Sequence, residues 1–169
     1  MSESEKRVLI LMGSDSDLPV MKKTAAVLDE FEVGYTMRVL SVHRAPEEAL
    51  ALASGARAAG YQVVVCGAGM AAHLGGAVAA KTTLPVIGVP LASGALGGLD
   101  ALYATVQMPP GVPVATVAIG GARNAGVLAL QILSLADERI AAALVQFKKS
   151  LTEQVLAKDR KVQEELAKA

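Results

Sequence analysis

Short, uninterrupted apolar runs rich in β-branched residues recur along the chain, separated by longer segments of helical pattern. The runs "RVLILM", "YTMRVL", "VVVC", "PVIGVP" and "VPVATVAI" have the length and composition of strands. Their apolar character is continuous rather than alternating, as in strands covered on both faces. Between them, "DLPVMKKTAAVLDEF", "PEEALALASGARAAG", "GMAAHLGGAVAAKT" and "GLDALYATVQM" fit helices, and "RNAGVLALQILSLADERIAAALVQF" fits a helical stretch after the fifth run. Strand and helix in alternation imply a parallel sheet with right-handed crossovers, hence a three-layer α/β fold. In such sheets ligands bind in the crevice outside the carboxyl ends of the strands.

The whole of residues 1–169 reads as one domain, since no Gly/Ser-rich or Pro-rich linker divides it, with a C-terminal helical tail over about 137–169. That tail ends in "KKSLTEQVLAKDRKVQEELAKA", with leucines and valines at three- and four-residue spacing on a charged helix. The pattern suits a solvated helix or one docked on a neighbouring subunit. Sixteen basic residues balance sixteen acidic ones, and aromatics make up only 3% of the chain, so neither nucleic acid nor an anionic membrane surface is an expected partner. The start, "MSESEKRVLILMG", offers an apolar run too short for a signal peptide or a membrane span, which points to the cytoplasm. Hydrophobic residues reach 53% and mean hydropathy +0.44, more than a soluble monomer of this size needs, and the surplus points to burial between subunits. The single cysteine, Cys66, closes "VVVC" and reads as a buried structural thiol.

The candidate chemistry lies in the turns after the strands. "GSDSD", Gly13 to Asp17, places Ser16 or Asp17 to cap the helix containing Pro19. Ser14, Ser16 and the free N–H groups of a helix start also make a cradle for phosphate or carboxylate, and Asp17 is suited to a sugar diol. "SVHRAP", Ser41 to Pro46, follows what reads as an interior strand; Arg44 presents a planar fork for phosphate oxygens, and His43 is the group there able to exchange a proton near neutrality. "GAGMAAHLGG", Gly67 to Gly76, contains G-x-G-x-x-A between strand and helix. A dinucleotide-binding unit needs an acid about twenty residues later, where this chain reads "PVIGVPLAS", so that reading fails. What remains is a small-residue loop that a ligand can approach closely, with His73 just inside a helix, where it reads equally as a packing or a site residue. "QMPPGVP" and "VAIGGARNAG" are explicable as structure alone. With no G-x-S-x-G elbow, Walker loop or metal-spaced Cys/His cluster, the residues favour proton transfer.

In their order and spacing, "MGSDSD", "SVHRAP", "AGMAAHLGG", "LPVIGVP" and "QMPPGVPVATVAIG" resemble the class I N5-carboxyaminoimidazole ribonucleotide mutase (PurE) family of de novo purine biosynthesis, over roughly Val8 to Leu135. The resemblance implies a flavodoxin-like three-layer fold, a homo-octamer, and transfer of a carboxylate from the exocyclic N5 nitrogen of the ribonucleotide to carbon 4 of its imidazole ring, with no metal, flavin or ATP. It implies His43 as general acid-base. Ser14, Asp17 and Arg44 match ribonucleotide-binding positions, with Ser16 and Ser41 beside them, and the loop holding Gly69, Met70, Ala71, His73 and Leu74 matches the wall of the carboxylate pocket. Two departures stand in that wall: Met70 replaces a usual glycine and Gly75 a usual proline, so the wall is expected to be more crowded at the first and looser at the second. Val42 and Ala45 are milder changes.

Two other readings are set against this one. A non-catalytic receiver-like module would share the acidic turn after the first strand, but needs an aspartate after the third strand and a lysine after the fifth, where this chain has "CGAG" and "IGGA". A class II carboxylase would use free carbon dioxide and aminoimidazole ribonucleotide, and "AAHLGG" speaks against it.

Overall fold

The computed structural model describes residues 6–168; the charged start of the segment read as non-signal, residues 1–5, lies outside the described residues. Five parallel strands form the sheet: β1 (Lys6–Met12), β2 (Gly34–Val39), β3 (Val63–Gly69), β4 (Val86–Leu91) and β5 (Ala115–Thr116), in the order β2-β1-β3-β4-β5. The helices are α1 (Leu18–Glu30), α2 (Pro46–Gly55), α3 (Leu74–Ala79), α4 (Leu99–Val106), α5 (Ala122–Leu133) and α6 (Glu138–Leu166).

The continuity of the apolar runs has a direct structural cause. Successive strand side chains point to opposite faces, and β1 sends Val8, Ile10 and Met12 into a core with α1, α5 and α6 while Leu9 and Leu11 enter a second core with α2 and α3. Between α1 and α5 the backbones come close because Gly126 has no Cβ, where one would press on Val27 and the Thr24 carbonyl. The buried Thr24 hydroxyl donates to the Ala122 carbonyl at 2.7 Å across that contact. Cys66 is buried in the second core, and burial pushes its thiol up to about 12, so it is an inert packing residue.

The observed elements depart from the sequence patterns at five places. The strand before "SVHRAP" is an edge strand, not an interior one: the chain begins in the sheet's middle with β1, steps out to β2, then crosses back over β1 to β3. The fifth strand pairs only at Ala115 and Thr116, since Pro113 donates no ladder bond and the chain beyond peels away, held by single bonds from Val117 to Gly88 and Gly120 to Pro90. The helix read from Gly69 begins only at Leu74, and the residues before it form a loop. That read from Pro46 to Gly60 ends at Gly55. The long helical pattern after β5 is broken at Ser134–Asp137, because the Asp137 carboxylate accepts the Ile140 N–H at 3.2 Å and starts α6 afresh. Helix α6 then runs unbroken; Ile140 and Leu144 are buried in the core, whereas residues 151–166 are exposed throughout.

Candidate active site

Because the chain leaves β1 for one edge and returns to β3, the loops after these two central strands diverge and open a crevice at their carboxyl ends. It has a volume of about 480 Å³ and is walled by the loops after β1, β2, β3 and β4. Every residue singled out from sequence lines it: Ser14, Ser16, Asp17, Ser41, His43, Arg44, Gly69, Met70, Ala71, His73 and Leu74. The exits of "QMPPGVP" and β5 do not.

On the β1 side the turn is internally satisfied. Ser14 caps a single 3₁₀ turn, Asp15–Asp17, accepting from the Ser16 N–H while the Asp17 carboxylate accepts the Ser14 N–H at 3.0 Å. The Ser16 hydroxyl donates to the Ser14 oxygen at 3.0 Å. Neither Ser16 nor Asp17 therefore caps α1 through its side chain, as the sequence had suggested; Asp17 is turned back into its own loop, and Pro19 sits in the first turn of α1, where no N–H is missed. Burial raises the Asp17 pKa, outweighing the two backbone N–H groups that lower it, with Asp15 adding to the rise. A half-buried carboxylate without a cation is costly to ionise.

The β2 loop is tied to this turn. Arg44 and Ala45 donate backbone N–H groups to the Ser41 carbonyl, and the Arg44 guanidinium reaches across to the Gly13 carbonyl at 2.9 Å. A carbonyl takes one donor of the fork and none of its charge, and among the described residues the other donors have no partner. His43 extends toward the β3 loop, where its Nε2 lies 2.9 Å from His73 Nδ1, the rings nearly perpendicular. His73 stands immediately before α3 rather than within it, exposed and lining the crevice rather than packed in the core.

The β3 wall is shaped by what it lacks. A Cβ at Gly69 would fall on the Ser93 hydroxyl, and one at Gly67 on the Met21 sulfur. Met70 takes a left-handed φ of 54°, unusual for a side chain of its size, and its side chain is 59% exposed. The departure at Met70 is thus seen in the backbone, and its exposed side chain shows no crowding of the wall. Ser93, from the loop after β4, also lines the crevice, and its buried oxygen has no partner among the described residues. Sequence reasoning passed over Ser93 and the Gly13 carbonyl; the position of "LAS" at the end of the fourth strand was the available signal, since every strand end of such a sheet borders the crevice.

A parallel sheet ordered β2-β1-β3-β4-β5, with its cavity at the point where the chain reverses direction, defines a flavodoxin-like α/β protein with a small-molecule site. Within that class the chain belongs to the AIR carboxylase family, whose model matches residues 7–154. It is 54% identical over 157 residues to the N5-carboxyaminoimidazole ribonucleotide mutase of Mycobacterium tuberculosis, covering 93% of this chain and 90% of that one. It is 48% identical over 153 residues to a chloroplastic phosphoribosylaminoimidazole carboxylase of Vigna aconitifolia, covering 90% of this chain but 28% of that protein. The crystal structure of Treponema denticola PurE superimposes with a TM-score of 0.84 at 30% identity, covering 92% of this chain and 98% of that one.

The receiver-like reading finds no support in this geometry: Gly67, Ala68 and Gly69 occupy the end of β3 where a phospho-accepting aspartate would have to stand.

Proposed function

We propose that the chain is an N5-carboxyaminoimidazole ribonucleotide mutase, moving the carboxylate of its substrate from N5 to carbon 4 of the imidazole ring in purine biosynthesis. The observation that carries this reading is the convergence of one acid-base side chain, one uncommitted guanidinium and one glycine-walled loop on a single crevice. Arg44 and the hydroxyls of Ser14 and Ser16 hold the phosphate, with Asp17 on the ribose and Ser41 beside them. His43 protonates N5, and the N–C bond breaks to release carbon dioxide while the electron pair stays on nitrogen. The loop of Gly69, Met70, Ala71, His73 and Leu74 retains the gas beside the ring, carbon 4 attacks it, and His43 removes the proton that carbon 4 has to lose. One proton leaves the histidine and one returns. Holding the released gas makes its recapture an internal step, with the rate advantage of proximity.

The working protein is an oligomer, with the octamer as the family resemblance suggests. The α4 segment exposes Leu96, Leu99, Tyr103 and Val106 together, and the end of α6 exposes Leu151, Val155, Val162 and Leu166, surfaces a second copy would cover. Residues 1–169 act as one domain, the α6 tail included. Cytoplasmic placement accords with the substrate, and among the described residues no helix is long and apolar enough to cross a membrane.

The test is an ultraviolet assay with N5-carboxyaminoimidazole ribonucleotide bearing a labelled carboxylate, in excess unlabelled bicarbonate. Product carrying largely undiluted label supports a mutase. Product formed only from the decarboxylated nucleotide and bicarbonate supports the class II carboxylase instead. His43→Asn should lower turnover on the order of 10²- to 10⁴-fold, the usual worth of a general acid-base, while calorimetry shows product binding within a few fold. Light scattering at micromolar concentration that found a 17 kDa monomer would end the oligomer reading.

A further inference from the structure

Among the described residues, Ser93 Oγ is the one buried side-chain oxygen or nitrogen without a hydrogen-bond partner. Elsewhere the fold satisfies such groups: the buried Thr24 and Thr105 hydroxyls each donate to a carbonyl at 2.7 Å, and at the crevice Ser16 donates to Ser14 at 3.0 Å. An orphaned buried hydroxyl costs stability, so a fold that carries one at the wall of a site has left it for something else to satisfy. Ser93 stands in the loop after β4 and lines the crevice beside Gly69 and Met70. Resting on the mutase reading above, we propose that the Ser93 hydroxyl is the donor that recognises the migrating carboxylate, and so the group by which the site tells a carboxylated nucleotide from a decarboxylated one.

Strand order sets the axis of the crevice. The ends of β2, β1, β3 and β4 stand side by side in that sequence, which puts Arg44 on one flank and Ser93 on the other. A nucleotide with its phosphate on Arg44 and its ring at His43 extends its carboxylate toward the ends of β3 and β4. Along that flank Ala68, Gly69, Met70, Ala71 and Leu74 offer no side-chain donor, and Nδ1 of His73 is engaged with His43. The hydroxyl of Ser93 is free. It lies against Gly69, where a Cβ would come within 2.1 Å of it, so the missing side chain of Gly69 is what gives it room. No bond holds it there, and a turn about the Cα–Cβ bond to another staggered position breaks nothing. A carboxylate oxygen accepting its O–H makes a charge-assisted bond, stronger than one between neutral groups. The carboxylate sits on N5 in the substrate and on carbon 4 in the product, and the ring carbon that bears N5 adjoins carbon 4, so a single donor serves both ends of the transfer.

Calorimetry with the carboxylated product and with the decarboxylated nucleotide, on the parent and on Ser93→Ala, tests this. Ser93→Ala should bind the carboxylated product ~10- to 100-fold more weakly, the loss of a hydrogen bond to a charged group, and the decarboxylated nucleotide within about twofold of the parent. Its thermal melt should lie at or above the parent's, because the truncation removes a buried hydroxyl that had no partner. A serine kept for structure would give the opposite pattern, a lower melt with both nucleotides weakened together. That pattern overturns the proposal, and so does failure of Ser93→Ala to fold, since the hydroxyl would then be needed by the fold itself. If the parent binds the carboxylated product and Ser93→Ala keeps the parent's ratio of the two affinities, this proposal alone falls. If the parent does not bind the carboxylated product, the mutase reading fails and this proposal falls with it.

Discussion

Two acidic turns start helices in this chain, one at the crevice and one between α5 and α6, and they hold their charges in opposite ways. At the α6 start, Asp137 caps Ile140 and is ion-paired with Arg7 at 2.5 Å, and that guanidinium also donates to Gln62 at 3.0 Å. The hydrogen bond from Arg7, with that from Ile140, holds the Asp137 carboxyl below its ordinary range. At the crevice, Asp17 accepts a backbone N–H but has no cation partner among the described residues, and burial pushes its carboxyl up. Arg44 stands nearby, bonded to a carbonyl. One turn closes its charges on each other and secures the fold. The other leaves both charges short of a partner, the state a site must be in before its ligand arrives.

The two arginines give the largest expected separation. Arg44→Ala should weaken product-nucleotide binding on the order of 2 to 4 kcal/mol, the loss of a charge-assisted pair, with little change in melting temperature. Arg7→Ala should do the reverse, lowering the melting temperature and leaving nucleotide affinity intact. Calorimetry and thermal melts on both variants check the contrast, and a loss of affinity in Arg7→Ala equal to that in Arg44→Ala would erase it.

The aspartates should differ in sign. A raised carboxyl favours the protonated form in the fold, so the Asp17 contribution is full below the ordinary value of 3.8 and is lost as pH rises through the raised one. Asp17→Asn should therefore melt at or above the parent at pH 7 while binding nucleotide less well. A lowered carboxyl contributes above 3.8 and loses its contribution as pH falls through the lowered value, so Asp137→Asn should melt below the parent at pH 7 and converge with it in acid. Melting curves from pH 3 to 7 on the two variants decide this, and parallel curves would break the comparison.

The β1 turn was legible only in part: the sequence marked Ser14, Ser16 and Asp17 as the turn that precedes α1, but not that they satisfy one another within four residues and leave α1 without a side-chain cap. The start of α6 was written as plainly, in an aspartate followed by Glu138, but the apolar period of α5 runs on into α6 and hid the break. The three-layer architecture followed from the continuous apolar runs. What did not follow lies in relations between distant segments. The edge position of β2 depends on which way the next crossover turns. The pairing of His43 with His73 depends on β1 alone separating their strands. Met70 was read as helical since its neighbours Ala71 and Ala72 favour a helix, while the fold needs a left-handed turn there.

That turn yields a smaller effect. A methionine in the left-handed region costs about 1 kcal/mol, and glycine's freedom in the unfolded chain costs 0.5–1 kcal/mol, roughly. Met70→Gly should thus change stability by less than ~1 kcal/mol in a denaturant melt. Any appreciable change in label retention would then come from the side chain, which lies near Gly94 of the β4 loop.

The smallest effect is expected at Gly75, where the resemblance drawn from the sequence implied a proline. Gly75 is the second residue of α3, where an N–H has no partner within the helix, so losing it costs little. A Cβ there would sit 3.6 Å from Val114 and 3.8 Å from Cys66, ordinary contacts. The residue before a proline resists helical geometry, which is the one objection. The chain already answers it, for α1 begins Leu18–Pro19 and α3 begins Leu74–Gly75, the same residue type at the same place. Gly75→Pro should raise stability by about 0.4–1 kcal/mol through the unfolded state and leave label retention nearly as it was. A large rise in retention would mean that the β3 wall leaks as it stands, and that its looseness, not the charge left open on the β1 side, limits the reaction.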